Sequence, residues 1–384
     1  MDKMKIVLAP DSFKNSVTAI EASHAMRAGF EKVFPKATYV EVPMADGGEG
    51  TVQSMVDATG GRFLTAEVVN PLGQKVTAQY GILGDQETAV IEMAAASGIQ
   101  FINEQTRNPL VTTTFGTGQL IEAAVKQGVK TIIIGLGGSA TNDGGAGMAQ
   151  ALGVQLLNAD QQSLGFGGGA LADLASIDAT GMLPALADVK IVIASDVTNP
   201  LIGEKGASAV FGPQKGATSE MVAQLDRNLA HYAAIIERDL GISVAQTPGA
   251  GAAGGLGAGL LAFTKAQLQP GVEIVIEKTQ LKTAVADADI VVTGEGGIDF
   301  QTQYGKTPIG VAQAVKAVNP QATVIAIAGN IGEGTDVLYD LGIDSIFCST
   351  PGVMSLEKAL ANTKANLTQT SMNIARLIQK TKTH

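Results

Sequence analysis

Cysteine and histidine are scarce in this chain of 384 residues, and the scarcity of each argues against a class of chemistry. The only cysteine, Cys348, leaves no partner for an intrachain disulfide. It stands in the short apolar run 345–349, where we expect a small buried side chain rather than a reactive thiol. The three histidines, at positions 24, 231 and 384, are scattered along the sequence, which argues against a zinc site or a histidine-based triad.

Basic residues are the minority among charged side chains, 26 against 36 acidic ones, which gives a net charge of −10. This balance argues against a nucleic-acid or anionic-membrane partner, since either would select clustered lysine and arginine. Long apolar runs are also absent from the sequence, so we expect no membrane span. The chain enters a strand-like segment directly after Met4, which leaves no room for a signal peptide, and we therefore expect a cytoplasmic protein.

Glycine is abundant instead, with 47 residues, and it concentrates in loops directly after apolar runs. Strand–loop–helix units begin at residues 5–9 and 39–44, while 63–69 and 75–82 alternate as in a hairpin. The length fits about two domains. We predict an α/β protein: a discontinuous doubly wound, parallel-sheet domain of Rossmann-like or flavodoxin-like type (1–85 plus 285–384), a second α/β domain inserted at 86–284, and an active site in the cleft between them.

The stretch 288–307 combines a buried strand with charged groups and a helix start. Its apolar run 289–293 breaks into four residues, Gly-Glu-Gly-Gly, where we expect the strand to end and the backbone to turn. Glu295 and Asp299 follow, then Lys306, and Thr307-Pro308 predicts a helix N-cap with proline at the first helical position. The Gly-Lys-Thr at 305–307 is not a P-loop, because that motif would need glycine at position 300, where Phe300 stands.

Two other loops follow predicted parallel strands and carry similar side chains. The first holds Ser12 and Lys14, and the second holds Asp46 and Glu49. Ligands of open α/β sheets bind outside the carboxyl ends of the strands, so we expect these loops to converge with the one that carries Glu295. For each residue alone, an ordinary solvated loop is the competing interpretation.

The loop 135–145 is the best candidate for an anion cradle, because successive backbone N–H groups of a glycine-rich turn bind phosphate or carboxylate. Tight helix–strand packing would also select glycine, but it would not require the polar insert at 139–143. Asp196 follows the strand 189–194 and fits a proton acceptor, a Mg²⁺ ligand or a turn-initiating residue. Lys205 and Lys215, in the predicted loop 201–216, fit phosphate contacts or ordinary surface lysines. These parts are typical of phosphoryl transfer.

With these residues described, the chain resembles the bacterial type I glycerate kinases from end to end. The resemblance rests on the segments APDSFKNS (9–16), PMADGGEGT (43–51), IEMAAASG (91–98), GLGGSATNDGGAGM (135–148), DVTNPL (196–201), GASAVFGPQKGA (206–217), PGAGAAGGLGAG (248–259) and TGEGGIDFQTQYGKTP (293–308). It implies ATP-dependent phosphorylation of D-glycerate, usually to 2-phosphoglycerate, with Mg²⁺ as cofactor. One departure is Gly297, where the family usually has arginine.

On this resemblance we assign hypothetical roles to the candidate residues. Asp196 would take the hydroxyl proton, and Lys14 would meet the glycerate carboxylate as a second catalytic group. The remaining assignments are substrate binding by Ser12, Lys14, Asp46 and Lys306, nucleotide binding by Gly137, Gly138, Ser139 and Lys215, and Mg²⁺ binding by Glu295 with Asp299 or Asp46. Two alternatives remain open: a GHMP-type kinase, suggested by the glycine loop 135–140, and a non-catalytic protein that binds a small carboxylic acid.

Overall fold

The computed structural model describes residues 4–381, and these form two compact units. The first runs up to Asp46 and adds Gln53–Gly60 and the chain from Pro270 onward. The second consists of Gly47–Val52 and Gly61–Gln269. The domain boundaries at 85 and 285 stay predictions, as does the cleft, and the histidine at 384 lies outside the described residues.

The described residues form the following elements. The strands are β1 (Lys5–Pro10), β2 (Thr38–Glu41), β3 (Arg62–Val69), β4 (Lys75–Ile82), β5 (Thr88–Glu92), β6 (Thr131–Gly135), β7 (Gln155–Leu157), β8 (Ser176–Asp178), β9 (Lys190–Ala194), β10 (Gln267–Gln269), β11 (Ile290–Ile298), β12 (Thr323–Ile331) and β13 (Ser345–Cys348). The α-helices are α1 (Ala19–Glu31), α2 (Thr51–Thr59), α3 (Ala94–Ser97), α4 (Phe115–Val125), α5 (Ala146–Ala151), α6 (Ala207–Phe211), α7 (Ser219–Leu240), α8 (Ala252–Thr264), α9 (Gly271–Lys278), α10 (Leu281–Val285), α11 (Thr307–Val318), α12 (Val337–Asp340), α13 (Leu356–Ala361) and α14 (Thr363–Thr381). Short 3₁₀ helices cover Ile99–Phe101, Ala170–Asp173, Pro184–Asp188, Pro213–Lys215 and Phe300–Gln303.

The first unit is built on a five-stranded parallel sheet with the order β13-β12-β11-β1-β2. Its inner strands β1, β11 and β12 contain apolar runs that are buried on both faces, as is typical of parallel sheets, whereas the edge strands β2 and β13 are only partly buried. Helix α1 begins with the capping box that the sequence predicts, in which Thr18 and Glu21 each satisfy the other's backbone N–H. Because β1 lies between β11 and β2, the loops after these three strands leave the same edge of the sheet.

The second unit contains a six-stranded sheet with the order β10-β9-β6-β5-β4-β3 and a separate antiparallel pair, β7 and β8. Strands β3 and β4 form the predicted hairpin, whose turn is held by Asn70 Oδ1, an acceptor from the N–H groups of Leu72 and Gln74. Strands β5, β6, β9 and β10 are parallel. The two sheets confirm the predicted α/β class.

Several local predictions are wrong. Strand β11 does not end at residue 293 but continues through the glycines to Ile298, because Gly297 and Ile298 still pair with β12. The predicted loop 201–216 contains α6 and a 3₁₀ turn. Cys348 is exposed rather than buried, since its strand β13 is at the edge of the sheet.

Candidate active site

Glu295 lies inside β11, and the strand around it is held close to its neighbour. Gly294 pairs with Ile327 of β12, and a Cβ atom at 294 would stand 2.0 Å from the Ile327 carbonyl oxygen. Only glycine permits this approach. At Gly297, by contrast, a Cβ atom would meet nothing within 4 Å, so the arginine that is usual in the family would have space there.

Acidic side chains from three loops of the first unit surround Glu295. Burial raises the pKa of Glu295 to about 7; Lys306 opposes this rise, whereas the charges of Asp11, Asp46 and Asp299 add to it. The loops after β1, β2 and β11 therefore converge, as the sequence predicts. The Oε1 atom of Glu295 is buried and has no hydrogen-bond partner within the described residues, so one carboxylate oxygen is left for a ligand.

Asp11 belongs to this cluster and was missed by the sequence reasoning. Its Oδ1 accepts the Ser12 N–H at 2.6 Å, and its Oδ2 accepts the Thr307 hydroxyl at 2.5 Å. Burial raises the pKa of Asp11 to about 6; the charge of Asp46 adds to the rise, and the bonds from Thr307 and Ser12 oppose it. Thr307 is thus not the N-cap of α11, a position that Lys306 occupies. An aspartate after proline is typical of an ordinary turn, so residue type and position alone do not identify Asp11 as a site residue.

The remaining substrate candidates of the first unit lie around this cluster. Lys14 is exposed, and its loop is closed by a hydrogen bond from Phe13 N–H to the Val17 carbonyl at 2.9 Å. The backbone N of Lys14 would stand 3.5 Å from a Cβ atom at Gly296, so this loop runs beside β11. Ser12, Asp46 and Lys306 are partly buried.

The carboxylates fit a Mg²⁺ ion that arrives with other ligands rather than a fully protein-made metal cage. In residues 4–381 no group of three or more His, Cys, Asp or Glu side chains is arranged to hold a metal. The Asp299 Oδ1 already accepts the Gln301 N–H at 2.8 Å as a helix cap. Mg²⁺ commonly uses one or two carboxylates, with water and phosphate completing its shell, and the unpaired Glu295 oxygen suits that pattern.

In the second unit, the glycine-rich loop forms an exposed turn at Gly137 and Gly138. The segment 97–99 holds this turn on both sides. Ile99 N–H donates to the Gly138 carbonyl at 2.8 Å, and Ala140 N–H donates to the Ser97 carbonyl at 3.0 Å. Gly138 has φ +73°, which favours glycine. The N–H groups of residues 137–139 donate to no acceptor in the described part of the chain. Three consecutive backbone donors without an acceptor suit an anion cradle, and anion binding at this turn stays a prediction.

A second glycine-rich loop packs against the loop 135–145. It starts at Gly47, within the Asp-Gly-Gly-Glu-Gly segment. A Cβ atom at Gly135 would lie 2.8 Å from the Gly47 carbonyl oxygen, so the backbones approach closely. Glu92, another residue without a predicted role, accepts the Val52 N–H at 3.0 Å at the start of α2. Burial raises the pKa of Glu92, and this backbone donor opposes the rise. Glu92 therefore holds the second loop in place.

Asp196 and Lys215 differ in accessibility. Asp196 is exposed two residues after Ala194, which pairs with Gly135 in the parallel sheet, so Asp196 and the glycine turn leave the same sheet edge. Lys215 is fully buried in a 3₁₀ turn, and its ammonium donates to the Thr141 carbonyl at 2.6 Å. The contact of Lys215 with phosphate stays a prediction, and in this structure its ammonium does not reach the surface.

Comparisons with known proteins agree with this fold and these motifs. The model of the glycerate kinase family matches residues 6–379. A glycerate kinase from Halalkalibacterium halodurans is 55% identical over 370 residues, covering 96% of this chain and 97% of the relative. The glycerate 2-kinase of Escherichia coli K12 is 50% identical and covers 97% of each chain. The crystal structure of a Salmonella typhimurium LT2 protein designated glycerate kinase 2 is 49% identical, with a TM-score of 0.92 and complete coverage of both chains.

The fold and these relatives define an α/β phosphotransferase of small molecules. The chain belongs to the glycerate kinase family. Among residues 4–381, no helix is long and apolar enough to cross a membrane.

Proposed function

We propose that this protein transfers the γ-phosphoryl group of ATP to the 2-hydroxyl of D-glycerate. The observation that carries the proposal is the glycine-rich turn at residues 137–139, which is exposed at Gly137 and Gly138 and whose three backbone N–H groups donate to no acceptor in the described residues. The name of the Escherichia coli relative, glycerate 2-kinase, supports the 2-hydroxyl as the acceptor.

In this proposal the nucleotide phosphates bind to the N–H groups of Gly137, Gly138 and Ser139. These donors are fixed by the neighbouring backbone, so they stabilise charge on the phosphoryl oxygens without reorganising during the reaction. A second glycine loop packs beneath them and keeps their position.

Glycerate binding falls to side chains of the first unit. The ammonium groups of Lys14 and Lys306 attract the substrate carboxylate, and Ser12 and Asp46 bind its hydroxyl groups. Asp196, exposed beyond β9, accepts the proton of the attacking hydroxyl. Glu295 and Asp299 would hold Mg²⁺, partly through water, and when bound the ion neutralises phosphate charge.

The test measures ADP formation with D-glycerate, with and without Mg²⁺, and identifies the product by phosphorus and proton NMR. The proposal requires ATP consumption that depends on both D-glycerate and Mg²⁺ and gives a phosphate ester at the 2-position. A 3-phosphate would correct the acceptor alone. Phosphorylation of a different alcohol in preference to glycerate would favour a GHMP-type substrate, and binding of glycerate without ATP consumption would favour a non-catalytic binding protein.

A further inference from the structure

A lysine that is completely removed from solvent lies behind the glycine-rich loop. Lys215 is the last residue of a 3₁₀ turn and is 0% exposed. Burying an ammonium group costs free energy unless it is compensated by hydrogen bonds and an opposite charge. Burial lowers the pKa of Lys215 to about 7, and the charge of Asp143 opposes this fall. The loop also supplies a hydrogen-bond acceptor, because Lys215 Nζ donates to the Thr141 carbonyl at 2.6 Å.

Asp143 is the acceptor for donors on two sides of the loop. It accepts the backbone N–H of Thr114 at 2.8 Å and the Thr114 hydroxyl at 2.9 Å. It also accepts the N–H groups of Gly145 at 3.1 Å and Gly147 at 3.3 Å. Burial raises the pKa of Asp143, and these donors oppose the rise. A side chain that only accepts hydrogen bonds acts as a carboxylate, so a positive partner is needed inside the unit.

In the segment between the exposed turn and Asp143, Ala140 is anchored through its N–H to the Ser97 carbonyl and through its own carbonyl, which accepts the Thr112 hydroxyl at 2.9 Å. The next two residues are less well satisfied. The hydroxyl of Thr141 and the Oδ1 of Asn142 are buried and find no partner within the described residues. Asn142 Nδ2 donates to Ser208 Oγ at 2.9 Å, so the segment that carries Lys215 holds the loop at two consecutive residues. On the opposite side, a Cβ atom at Gly254 would stand 1.9 Å from the same Thr141 oxygen, so this carbonyl packs directly against the Gly254 backbone.

We propose that Lys215 is a positioning residue for the phosphate-binding turn: its buried ammonium fixes the Thr141 carbonyl and balances Asp143, and thereby keeps the N–H groups of residues 137–139 facing outward. Lys215 then acts on the nucleotide through the backbone and does not touch its phosphates. This inference rests on the proposed nucleotide role of residues 137–139.

The first experiment compares Lys215→Met with Lys126→Met, which removes an exposed lysine of the same unit from a surface pair with Glu122. Steady-state kinetics are measured on purified folded protein. We expect the KM for ATP to rise about ten-fold in Lys215→Met, because a misplaced cradle loses binding, while the KM for D-glycerate stays within about two-fold. A wild-type KM for ATP in folded Lys215→Met would overturn the proposal, as would equal losses for both substrates.

Binding of a non-hydrolysable ATP analogue at low and high salt separates positioning from direct contact. A lysine that contacts phosphate contributes a salt-sensitive attraction, so its removal would flatten the salt dependence of the dissociation constant. Positioning predicts weaker binding with an unchanged salt dependence. A flattened salt dependence in Lys215→Met would assign Lys215 to the phosphates and reject the indirect role.

Hydrogen exchange supplies a readout that needs no activity. We expect faster amide exchange over residues 136–145 in Lys215→Met than in wild type or Lys126→Met.

If Lys215→Met fails to fold, Lys215→Met combined with Asp143→Asn removes both charges together, which avoids leaving a buried carboxylate unbalanced. An unchanged rate of amide exchange over residues 136–145 in either folded variant would overturn the proposed positioning role of Lys215. If wild type fails to phosphorylate glycerate, the proposed function fails, while exchange and analogue binding still decide this inference.

Discussion

At the scale of single residues, Lys14 offers the simplest test of substrate recognition. It is exposed on the loop beside β11, where an ammonium group can pair with a carboxylate. Lys14→Ala should raise the KM for D-glycerate by about ten-fold or more, because a charged hydrogen bond is lost, and should change the KM for ATP little. Lys36→Ala, an exposed lysine of the same unit, is the control in steady-state kinetics. Normal glycerate affinity in Lys14→Ala would reject the assignment.

Asp196 is the residue whose loss should affect the chemical step. Asp196→Asn keeps the size of the side chain but cannot take a proton, so kcat should fall by about 100-fold while the KM for glycerate changes much less. Initial-rate measurements at saturating ATP test this, with exposed Asp160→Asn as the matched control. An unchanged kcat would remove Asp196 from the role of base.

Glu295 is a site residue whose ionised carboxylate destabilises the folded state. Its pKa of about 7 lies above the usual 4.5, so the folded state binds the proton more tightly than the unfolded chain. The contribution of Glu295 to the free energy of unfolding is therefore greatest below pH 4.5, where the carboxyl is protonated in both states. This contribution is lost as the pH rises through 7. Without Mg²⁺, Glu295→Gln should therefore be more stable than wild type at about pH 8, with little difference at about pH 4.

Urea unfolding in the presence of a chelator measures this difference. Glu277→Gln, on the exposed face of α9, is the control and should show no such pH dependence. On the proposed role of Glu295, adding Mg²⁺ together with ATP should reduce the advantage of Glu295→Gln, since only wild type has the ionised carboxylate that would bind the ion. If Glu295→Gln is no more stable than wild type above pH 7, then burial and the neighbouring acidic side chains do not raise the pKa of Glu295 as described.

Residue type and loop position were enough to predict the convergence of Asp46, Glu295 and Lys306, because parallel strands deliver their following loops to one sheet edge. They were not enough for Lys215 or Asp11. Whether a lysine in a glycine-rich segment points to solvent or inward depends on packing by distant segments, here Thr141 and Asp143. Asp11 is defined as a site residue by Thr307, which lies 296 positions away in the chain.

At the scale of elements, the glycines of β11 differ in how closely the neighbouring strand approaches them. Gly294→Ala would place a Cβ atom 2.0 Å from the Ile327 carbonyl and force β11 away from β12, whereas Gly297→Ala meets open space. We expect Gly294→Ala to lose about 1–3 kcal/mol of unfolding free energy and Gly297→Ala to lose much less. Denaturant unfolding of the two variants compares them on the same strand. Equal stabilities would contradict the close approach of the two strands.

Most strands and helices were predictable from apolar runs and caps, as the capping box of α1 and the β3–β4 hairpin illustrate. The end of β11 was not, because four residues that favour a turn continue as a strand when the neighbouring β12 is long enough to pair with them. The glycine-rich segment 248–259 fits either a loop or a tightly packed helix start, and the structure has the helix α8 there. It starts with three left-handed residues, Ala253 to Gly255, whose conformation is set by tight contact with the loop 141–144.

At the scale of the whole molecule, the two ends of the chain build one core. Residues near the start, such as Leu8 and Phe30, share a buried cluster with Leu367 and Ile374 of the last helix. A Cβ atom at Gly29 would stand 2.3 Å from the Thr368 carbonyl, so α1 and α14 pack with their backbones close together. These contacts join residues more than 300 positions apart, so the core of the first unit depends on contacts of high sequence separation, which slow folding.

The last helix carries a matched pair of leucines that tests this dependence. Leu367 is 0% exposed in the shared core, whereas Leu377 on the same helix is 58% exposed. Leu367→Ala should reduce the unfolding free energy by about 2–5 kcal/mol, because it leaves a cavity among side chains from both chain ends. Leu377→Ala should change it by about 0.5 kcal/mol or less. Urea unfolding followed by circular dichroism measures both, and a Leu367→Ala protein as stable as Leu377→Ala would mean that the C-terminal helix contributes little to this core.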